Sequence, residues 1–179
     1  MIFLFIRFWN YGIFTSLTRT FENMHNQKQF FNCRSELRAV LSKGRYTTLA
    51  LTDGNDSYIL TLSYGLDEDE DILYFHCSTE GTKIDFFKSN PYLCGTVIQD
   101  DGYQHGKCNH YYHSVVYYGL LEVIHKTDEK MKALRCMFAQ LEDNPEQWTK
   151  PYEAKPEALS DVLIMKLSID EMNGKRNPG

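Results

Sequence analysis

The sequence ILYFHCSTEGTKIDFFKSN, residues 72–90, contains the pattern that decides the fold. Its first four residues, Ile72 to Phe75, are apolar and either β-branched or aromatic, which is typical of a buried strand. A histidine and a small polar stretch with a glycine follow. Thr82 to Ser89 then has the apolar content of a short helix. The pattern predicts a strand that runs into a helix through small residues.

The turn between this strand and this helix is a candidate anion site. The first N–H groups of a helix have no partner within it, and the helix dipole favours a negative charge there. Lys83 lies at this start, so the turn could hold a phosphate. Most such turns are ordinary connections, however, and a lysine in a first turn is usually solvated. Neither GxxxxGK[ST] nor GxGxxG is present, and both interpretations stay open.

Composition narrows the class of protein. A chain of 179 residues is most simply one domain with one sizeable core. A net charge of -5 argues against a general nucleic-acid binder, which needs basic side chains to neutralise phosphates. The 5 cysteines are an odd number without regular spacing, which favours reduced thiols in the cytoplasm over a secreted disulfide framework.

The start of the chain differs from the rest. Met1 to Leu17 is rich in Phe and Ile, but Arg7, Asn10 and Gly12 interrupt it, so it is too short and too broken for a membrane span. It lacks a clear basic start and cleavage site for a signal peptide. We therefore expect residues 1–23 to be an N-terminal extension and the domain to comprise residues 24–179.

The remaining elements alternate between strands and turns, with few helices. The chain has no regular βαβ alternation, so roughly six strands and three helices predict a mainly antiparallel barrel with peripheral helices. Gly119 in the longest strand suggests a bulge or a close backbone approach. The predicted elements are a helix at 35–42, a hairpin at 45–64, a solvated acidic loop at 67–71, a strand at 92–99, a loop at 100–106, a strand at 111–124, a helix at 129–141, a loop at 144–156, a helical turn at 157–160, a strand at 162–169 and a polar tail.

Five pieces of the chain together resemble the pyridoxamine 5′-phosphate oxidase-related FMN-binding split-barrel family, most closely its nitroimidazole-resistance-like branch. They are the first helix, the hairpin RYTTLALTDGNDSYILTLSYG, the segment LYFHCSTEGTKIDFFKSNP, the strand HYYHSVVYYGLLEVI and the terminal EMNGK. The resemblance covers about Cys33 to Lys175. It implies a six-stranded antiparallel split barrel of the α+β class, and a homodimer with FMN in a cleft between the subunits.

The resemblance also implies roles for thirteen residues. Strand residues would line the flavin, partly through backbone groups, and Tyr64 would close one side. The turn after the segment's strand would surround the phosphate and ribityl chain, while other residues would come from the subunit cleft and the C-terminal GK. The implied cofactor residues are Thr47, Thr48, Thr61, Leu62, Ser63, Tyr64, His76, Ser78, Gly81, Lys83, Tyr112, Ser114 and Lys175.

This sequence departs from the family pattern at three points. Thr61 stands where proline is common, which removes only rigidity. His113 stands where an arginine is usual before Ser-Val, which removes a permanent cation. The small pair after His76 is Cys77-Ser78.

Other chemistries fit parts of the chain less well. The segment HGKCNHYYH offers His105, Cys108, His110 and His113 as metal ligands, but on an extended strand His110 and His113 point to opposite faces. We therefore predict no metal site. His76 is a candidate general acid or base, although a histidine at a strand end is more often a hydrogen-bonding support. Cys77 has no visible activating environment.

The residues and the resemblance together favour an FMN-dependent oxidoreductase. Its expected reaction is reduction of a small organic acceptor, with a nitro compound as one candidate, by electrons from NAD(P)H. A non-catalytic protein that binds or sequesters flavin or haem is the alternative, and a cofactor-free dimeric interaction module is a third hypothesis.

Overall fold

The computed structural model describes residues 29–177. The predicted extension at residues 1–23 lies outside this range, as does the predicted start of the domain at Met24, so both stay predictions. None of the helices in the described range is long and apolar enough to cross a membrane. All 5 cysteines are free.

The described chain consists of eight strands, four α-helices and one 3-10 helix. The strands are β1 (Phe30–Phe31), β2 (Tyr46–Thr52), β3 (Ser57–Ser63), β4 (Gly65–Asp67), β5 (Ile72–Cys77), β6 (Tyr92–Gln104), β7 (Asn109–Val123) and β8 (Leu163–Asn177). The helices are α1 (Arg34–Lys43), α2 (Thr82–Ser89), α3 (Thr127–Leu141) and α4 (Pro145–Ala154), and the 3-10 helix spans Pro156–Asp161.

All the strands join one antiparallel sheet in the order β3-β2-β6-β7-β8-β5-β4, and β1 pairs with β8. The sheet curves until β3 contacts β5, but the gap between them is not closed by strand pairing. This confirms the predicted α+β, antiparallel split barrel with peripheral helices. The sheet has eight strands and not six, because β1 and β4 are only 2 and 3 residues long. Strands that short show no alternating pattern in the sequence.

The elements around the quoted segment and in the middle of the chain agree with the predictions. Residues 72–90 form the predicted strand, β5, and the predicted helix, α2, with a turn between them. The early hairpin consists of β2 and β3. The register of β7 and β8 shifts between Tyr118 and Gly119, as the predicted bulge requires. A Cβ on Gly119 would collide with the carbonyl oxygen of Ser168, so the close approach is confirmed as well.

Three predicted irregular segments are wrong. The loop at 100–106 is mostly strand, because β6 continues past a bulge between Asp100 and Gly102 and pairs with β7 as far as Gln104. The loop at 144–156 is mostly α4, since Pro145 occupies the first helical turn, where no backbone donor is needed. The polar tail is the second half of β8, where pairing with β7 outweighs its polar composition.

The barrel interior is filled by two buried tyrosines that lie over glycines. A Cβ on Gly95 would collide with the Tyr117 phenol, and one on Gly44 with the Tyr64 phenol. Thr47 Oγ1 donates to the carbonyl oxygen of Thr96 at 2.8 Å and lies 2.7 Å from the Tyr117 hydroxyl, which therefore donates to it. The interior thus satisfies a buried phenol without water.

A second cluster of buried apolar residues holds α3 on the other side of β5 and β8. Tyr74 and Ile164 pack with Met131, Leu134 and Met137. This layer supports β5, the strand that leads into the turn before α2.

Asp71 joins α1 to the turn between β4 and β5. Its carboxylate is 3% exposed and accepts hydrogen bonds from Nε of Arg34 and Nε of Arg38, each at 2.6 Å. Burial raises the pKa of this carboxyl, but the bonds and charges of Arg38 and Arg34 outweigh burial and hold the pKa below its usual value. The acidic segment is therefore not simply a solvated loop, since Asp67 is also buried, 2.7 Å from Lys132 Nζ.

We predict that Asp71→Asn lowers the free energy of unfolding by about 2–3 kcal/mol, because it leaves two arginines without their buried counter-ion while both keep contact with water. The stabilisation by Asp71 is present above the pKa of an unfolded aspartate, about 3.9. It is lost as the pH falls through the lower pKa of the folded state. Urea unfolding at neutral and acidic pH measures both effects. Asp69→Asn, in the exposed part of the same segment, is the matched control, and equal losses in the two variants would contradict the role of Asp71.

Candidate functional site

One face of the sheet points away from the barrel core and carries rows of hydroxyl groups. We call this face, on β3, β2, β6, β7 and β8, the outer face. Thr61 pairs with Thr48 and Thr48 with Thr96 across three strands, and the Oγ1 atoms of Thr48 and Thr61 are 3.2 Å apart. The row continues to Val116 and Asn173. Since side chains alternate along a strand, residues two positions away lie on the same face.

A second row on the outer face contains more of the predicted cofactor residues. Ser114 pairs with Lys175, and its Oγ donates to the Lys175 carbonyl oxygen at 3.2 Å. Ser63 and Tyr112 have the same orientation on β3 and β7. The structure therefore brings Thr48, Thr61, Ser63, Tyr112, Ser114 and Lys175 onto one surface. Within residues 29–177, the Lys175 ammonium has no hydrogen bond or ion pair.

Large apolar side chains lie among these hydroxyls. Tyr46 is 65% exposed, Ile59 69% and Ile98 64%, and all three belong to the outer face. Exposed apolar side chains that form a patch usually mark a binding surface. The outer face therefore combines hydrogen-bonding groups with apolar area.

Three predicted residues point into the barrel. Thr47 and Tyr64 are fully buried, and Leu62 packs against the core. The Tyr64 hydroxyl donates to the carbonyl oxygen of Leu41, and burial raises the pKa of this phenol. These side chains belong to the packing of α1 and β2, so only their backbone groups are available to a ligand on the outer face.

The turn between β5 and α2 brings together the other predicted residues, His76, Ser78, Gly81 and Lys83. Gly81 has φ 111° and ψ 166°, a conformation that glycine adopts without strain. Ser78 Oγ accepts a hydrogen bond from the amide of Glu80 at 3.3 Å. Lys83 Nζ lies 3.4 Å from the Glu80 carbonyl oxygen, a contact at the limit of a hydrogen bond.

The start of α2 has the properties of an anion site only in part. No side chain of the described residues caps its first turn, so amide groups there are available. Asp85 in the same turn opposes a bound anion. Lys83 is therefore the group on which anion binding at this turn depends.

The helix that follows the turn packs against β3, the edge strand of the sheet. Phe86 of α2 stacks on Tyr58 of β3, with ring centroids 5.4 Å apart and an interplanar angle of 21°. Tyr58 faces the core, so α2 lies on the inner side of the strand whose other side carries Thr61 and Ser63.

Cys77 and His76 show no arrangement for catalysis. Burial raises the pKa of the Cys77 thiol, against a smaller opposing effect of the Lys83 charge, so the thiol is protonated at neutral pH. His76 is exposed at the end of β5, opposite Ile164 on β8. Within the described residues, no hydrogen bond connects its side chain to another group.

The histidine-rich segment forms a hairpin between β6 and β7. His110 Nε2 lies 2.9 Å from an Asp100 oxygen, and His113 Nδ1 lies 2.6 Å from an Asp101 oxygen. Hydrogen bonds to these histidines are the main reason that the pKa values of both aspartates are lowered. In the described part of the chain, no group of three or more His, Cys, Asp or Glu side chains could hold a metal ion.

Sequence reasoning missed these two Asp–His pairs, since it assigned the aspartates to a loop. The strand bulge brings each aspartate next to a histidine ten or twelve positions later. A permanent cation, paired with Glu36, lies on the neighbouring strand opposite His113. Arg176 pairs with His113 in register, lies 5.3 Å from the centre of the Phe31 ring and is 3.1 Å from Glu36.

No curated protein sequence matches the chain significantly. The structure is similar to a proposed 5-nitroimidazole antibiotic resistance protein from Bacteroides thetaiotaomicron, with a TM-score of 0.69, 22% identity, and coverage of 82% of this chain and 86% of that one.

Two further solved structures share the fold. The flavocytochrome Anf3 from Azotobacter vinelandii has a TM-score of 0.71 and 18% identity, with 87% of this chain and 72% of that chain covered. The FAD and heme binding protein from Mycobacterium smegmatis has a TM-score of 0.66 and 20% identity, with 84% and 74% covered.

The model of the pyridoxamine 5′-phosphate oxidase family matches residues 33–176, which is most of the chain and nearly all of its described part. The resemblance predicted from the motifs is therefore confirmed, and the chain belongs to the pyridoxamine 5′-phosphate oxidase family.

Proposed function

We propose that this protein binds a flavin, as FMN, on the outer face of the sheet, and that two copies of the chain enclose it. The observation that carries this proposal is the combination of hydroxyl rows and exposed apolar side chains on the outer face, next to a glycine turn with a lysine. The names of the structural relatives add support, since one is a flavocytochrome and another binds FAD.

These residues can contact the polar edge of the FMN ring, the faces of the ring and the phosphate. The hydroxyls of Thr48, Thr61 and Ser114 can hydrogen-bond to the polar edge of the ring, while apolar neighbours contact its faces. The phosphate needs cationic and amide donors, which Lys83 and the first turn of α2 can provide. Lys175, without a partner among the described residues, would add a second ammonium.

Its activity, in our proposal, is that of an oxidoreductase that reduces a small organic acceptor with electrons from NAD(P)H. A bound flavin supplies the electron and hydride chemistry. The chain itself would hold and orient the cofactor and keep water from its buried side. A nitro compound is the first acceptor to test, because a relative of the same fold is named for 5-nitroimidazole resistance.

A protein that binds flavin or haem without turnover is the second candidate. It is favoured by the names of two structural relatives, a flavocytochrome and an FAD and heme binding protein. In both candidates the cofactor lies on the outer face. Only the oxidoreductase is reduced by NAD(P)H and reoxidised by an acceptor.

We expect the purified protein to be yellow, with a flavin absorbance spectrum. For an oxidoreductase, anaerobic NAD(P)H bleaches this colour and a nitroaromatic compound restores it. A yellow protein that NAD(P)H does not bleach supports the binding protein. A colourless protein that takes up no added FMN, FAD or haem contradicts both.

We predict that Lys83→Ala weakens FMN binding by about 1–3 kcal/mol, the range for a lost charge-assisted hydrogen bond. Fluorescence titration of the apoprotein with FMN measures the change. Lys88→Ala, which removes an exposed ammonium from the other end of α2, is the matched control and leaves the affinity unchanged. If Lys83→Ala binds FMN as tightly as the wild-type protein, the turn does not bind the phosphate.

We predict a dimer in solution that Ile98→Asp disrupts, because the substitution places a charge at one of the large exposed apolar side chains of the outer face. Sedimentation measures the subunit number, and flavin content is measured on the same samples. Trp148→Asp is the control, since Trp148 is 47% exposed but lies on α4. A wild-type monomer with a full complement of flavin would show that one chain suffices for the site.

A further inference from the structure

The pair formed by Asp100 and His110 lies at the end of the predicted flavin residues on the outer face. Asp100 of β6 pairs in register with Tyr112 of β7, which is one of those residues. His110 lies two positions before Tyr112, so its side chain is on the same face, about 7 Å further along the strand. The side chain of His110 is 52% exposed, so a ligand on the outer face can reach it.

The bulge in β6 fixes the orientation of the Asp100 carboxylate. Its Oδ1 accepts a hydrogen bond from the amide of Gly102 at 2.8 Å and lies 2.9 Å from Nε2 of His110. An ionised carboxylate only accepts hydrogen bonds, so Nε2 carries the proton of this contact. Among the described residues, Nδ1 of His110 has no hydrogen bond. It is therefore the ring nitrogen that remains for a ligand.

Asp100 is the charged neighbour of the His110 ring. The ring also meets Tyr103 edge to face, with centroids 5.8 Å apart, and His105 lies beyond Tyr103, 5.3 Å from the centre of the phenol ring. From β8, Asn177 donates to the backbone carbonyl oxygen of His110 at 2.8 Å. The Asp100 carboxylate is thus the counter-charge for an imidazolium, the form that carries a proton on both ring nitrogens.

Strand alternation separates His110 from the second Asp–His pair. His113 Nδ1 lies 2.6 Å from Asp101, but His113 is on the same face of β7 as the buried Val115. Its ring meets Phe31 edge to face, with centroids 6.2 Å apart. Of the two histidines held by a carboxylate in this hairpin, only His110 faces the proposed flavin site.

We propose that His110 donates the proton when the acceptor is reduced, and that Asp100 is the positioning residue that orients its ring. This inference rests on the proposed function. Reduction of a nitro group to a nitroso group takes one hydride and one proton and releases water. A bound flavin passes on the hydride of NAD(P)H. Nδ1 of the His110 imidazolium gives the proton to the nitro oxygen, and the ring regains a proton from water.

NMR of protein labelled with 15N-histidine tests the position of His110 without turnover. In flavin-free protein at alkaline pH, we expect one neutral tautomer with the proton on Nε2, and a mixture of tautomers in Asp100→Ala. Saturation with FMN should shift the ring signals of His110 and leave those of His113 unchanged. If FMN leaves the His110 signals unchanged, the ring lies away from the flavin and the proposal is wrong.

Stopped-flow reoxidation of the NAD(P)H-reduced protein tests the proton transfer. With a nitroaromatic acceptor, we expect the wild-type rate to fall as the pH rises above neutrality, since a neutral ring with its proton on Nε2 cannot donate from Nδ1. His110→Gln should be about a hundredfold slower or more and lose this pH dependence. Its flavin content, melting temperature and rate of bleaching by NAD(P)H should stay unchanged.

Two controls separate proton transfer from a structural effect. Ferricyanide takes one electron at a time and no proton, so it should reoxidise His110→Gln and the wild-type protein at equal rates. His113→Gln makes the same change on the opposite face of the hairpin and should keep the wild-type rate with the nitroaromatic acceptor.

Three kinetic results would overturn the proposal. They are a wild-type rate in His110→Gln with the nitroaromatic acceptor, an equal slowing of that variant with ferricyanide, and an equal loss in His113→Gln. Failure of the proposed function itself appears earlier and differently. The wild-type protein would then take up no flavin, or NAD(P)H would not bleach it, and both proposals would fall.

Discussion

The burial of Leu49 and Leu51, together with the hydrogen bond between the hydroxyls of Tyr117 and Thr47, determines which side of β2 faces the barrel interior. A strand has a side-chain period of two, so a slip of one residue would turn every side chain to the opposite face. With Thr47 held inside, Thr48 must point outward, where it meets Thr61 and Thr96. The position of the hydroxyl rows on the outer face is thus a consequence of a contact in the core. Gly95 permits this contact, because a larger residue would occupy the space of the Tyr117 phenol.

Helix α2 is the element that places two different surfaces next to each other. Its first turn carries Lys83, which belongs to the proposed flavin site. Its last turn, with Lys88, borders an apolar groove between α2, β7 and β8. The stacking of Phe86 on Tyr58 and the burial of Phe87 fix the helix between them. The two lysines of this short helix therefore have different surroundings, because they lie in its first and last turns.

Local patterns predicted the parts of the fold that local interactions determine. The strand, turn and helix of residues 72–90, the early hairpin and the bulge at Gly119 all depend on residue types close in sequence. Prediction failed for the second half of β8 and for the outer part of β6, because their pairing partners are distant in the chain. The same holds for the site. Thr47 alternates with Leu49 and Leu51, so the strand pattern places its side chain inside, whereas the orientation of Tyr64 depends on its packing against α1.

The pairing of β1 with β8 has a consequence for how the chain can be rearranged. Phe30 lies opposite Lys175, so β1 and the end of β8 run side by side at about 5 Å, the spacing of neighbouring strands. In a chain cut before β1, a short peptide could join β1 to the end of β8, and new termini could then be opened at the hairpin tip near Gly106. A circularly permuted chain of this kind would keep all the long strand pairs.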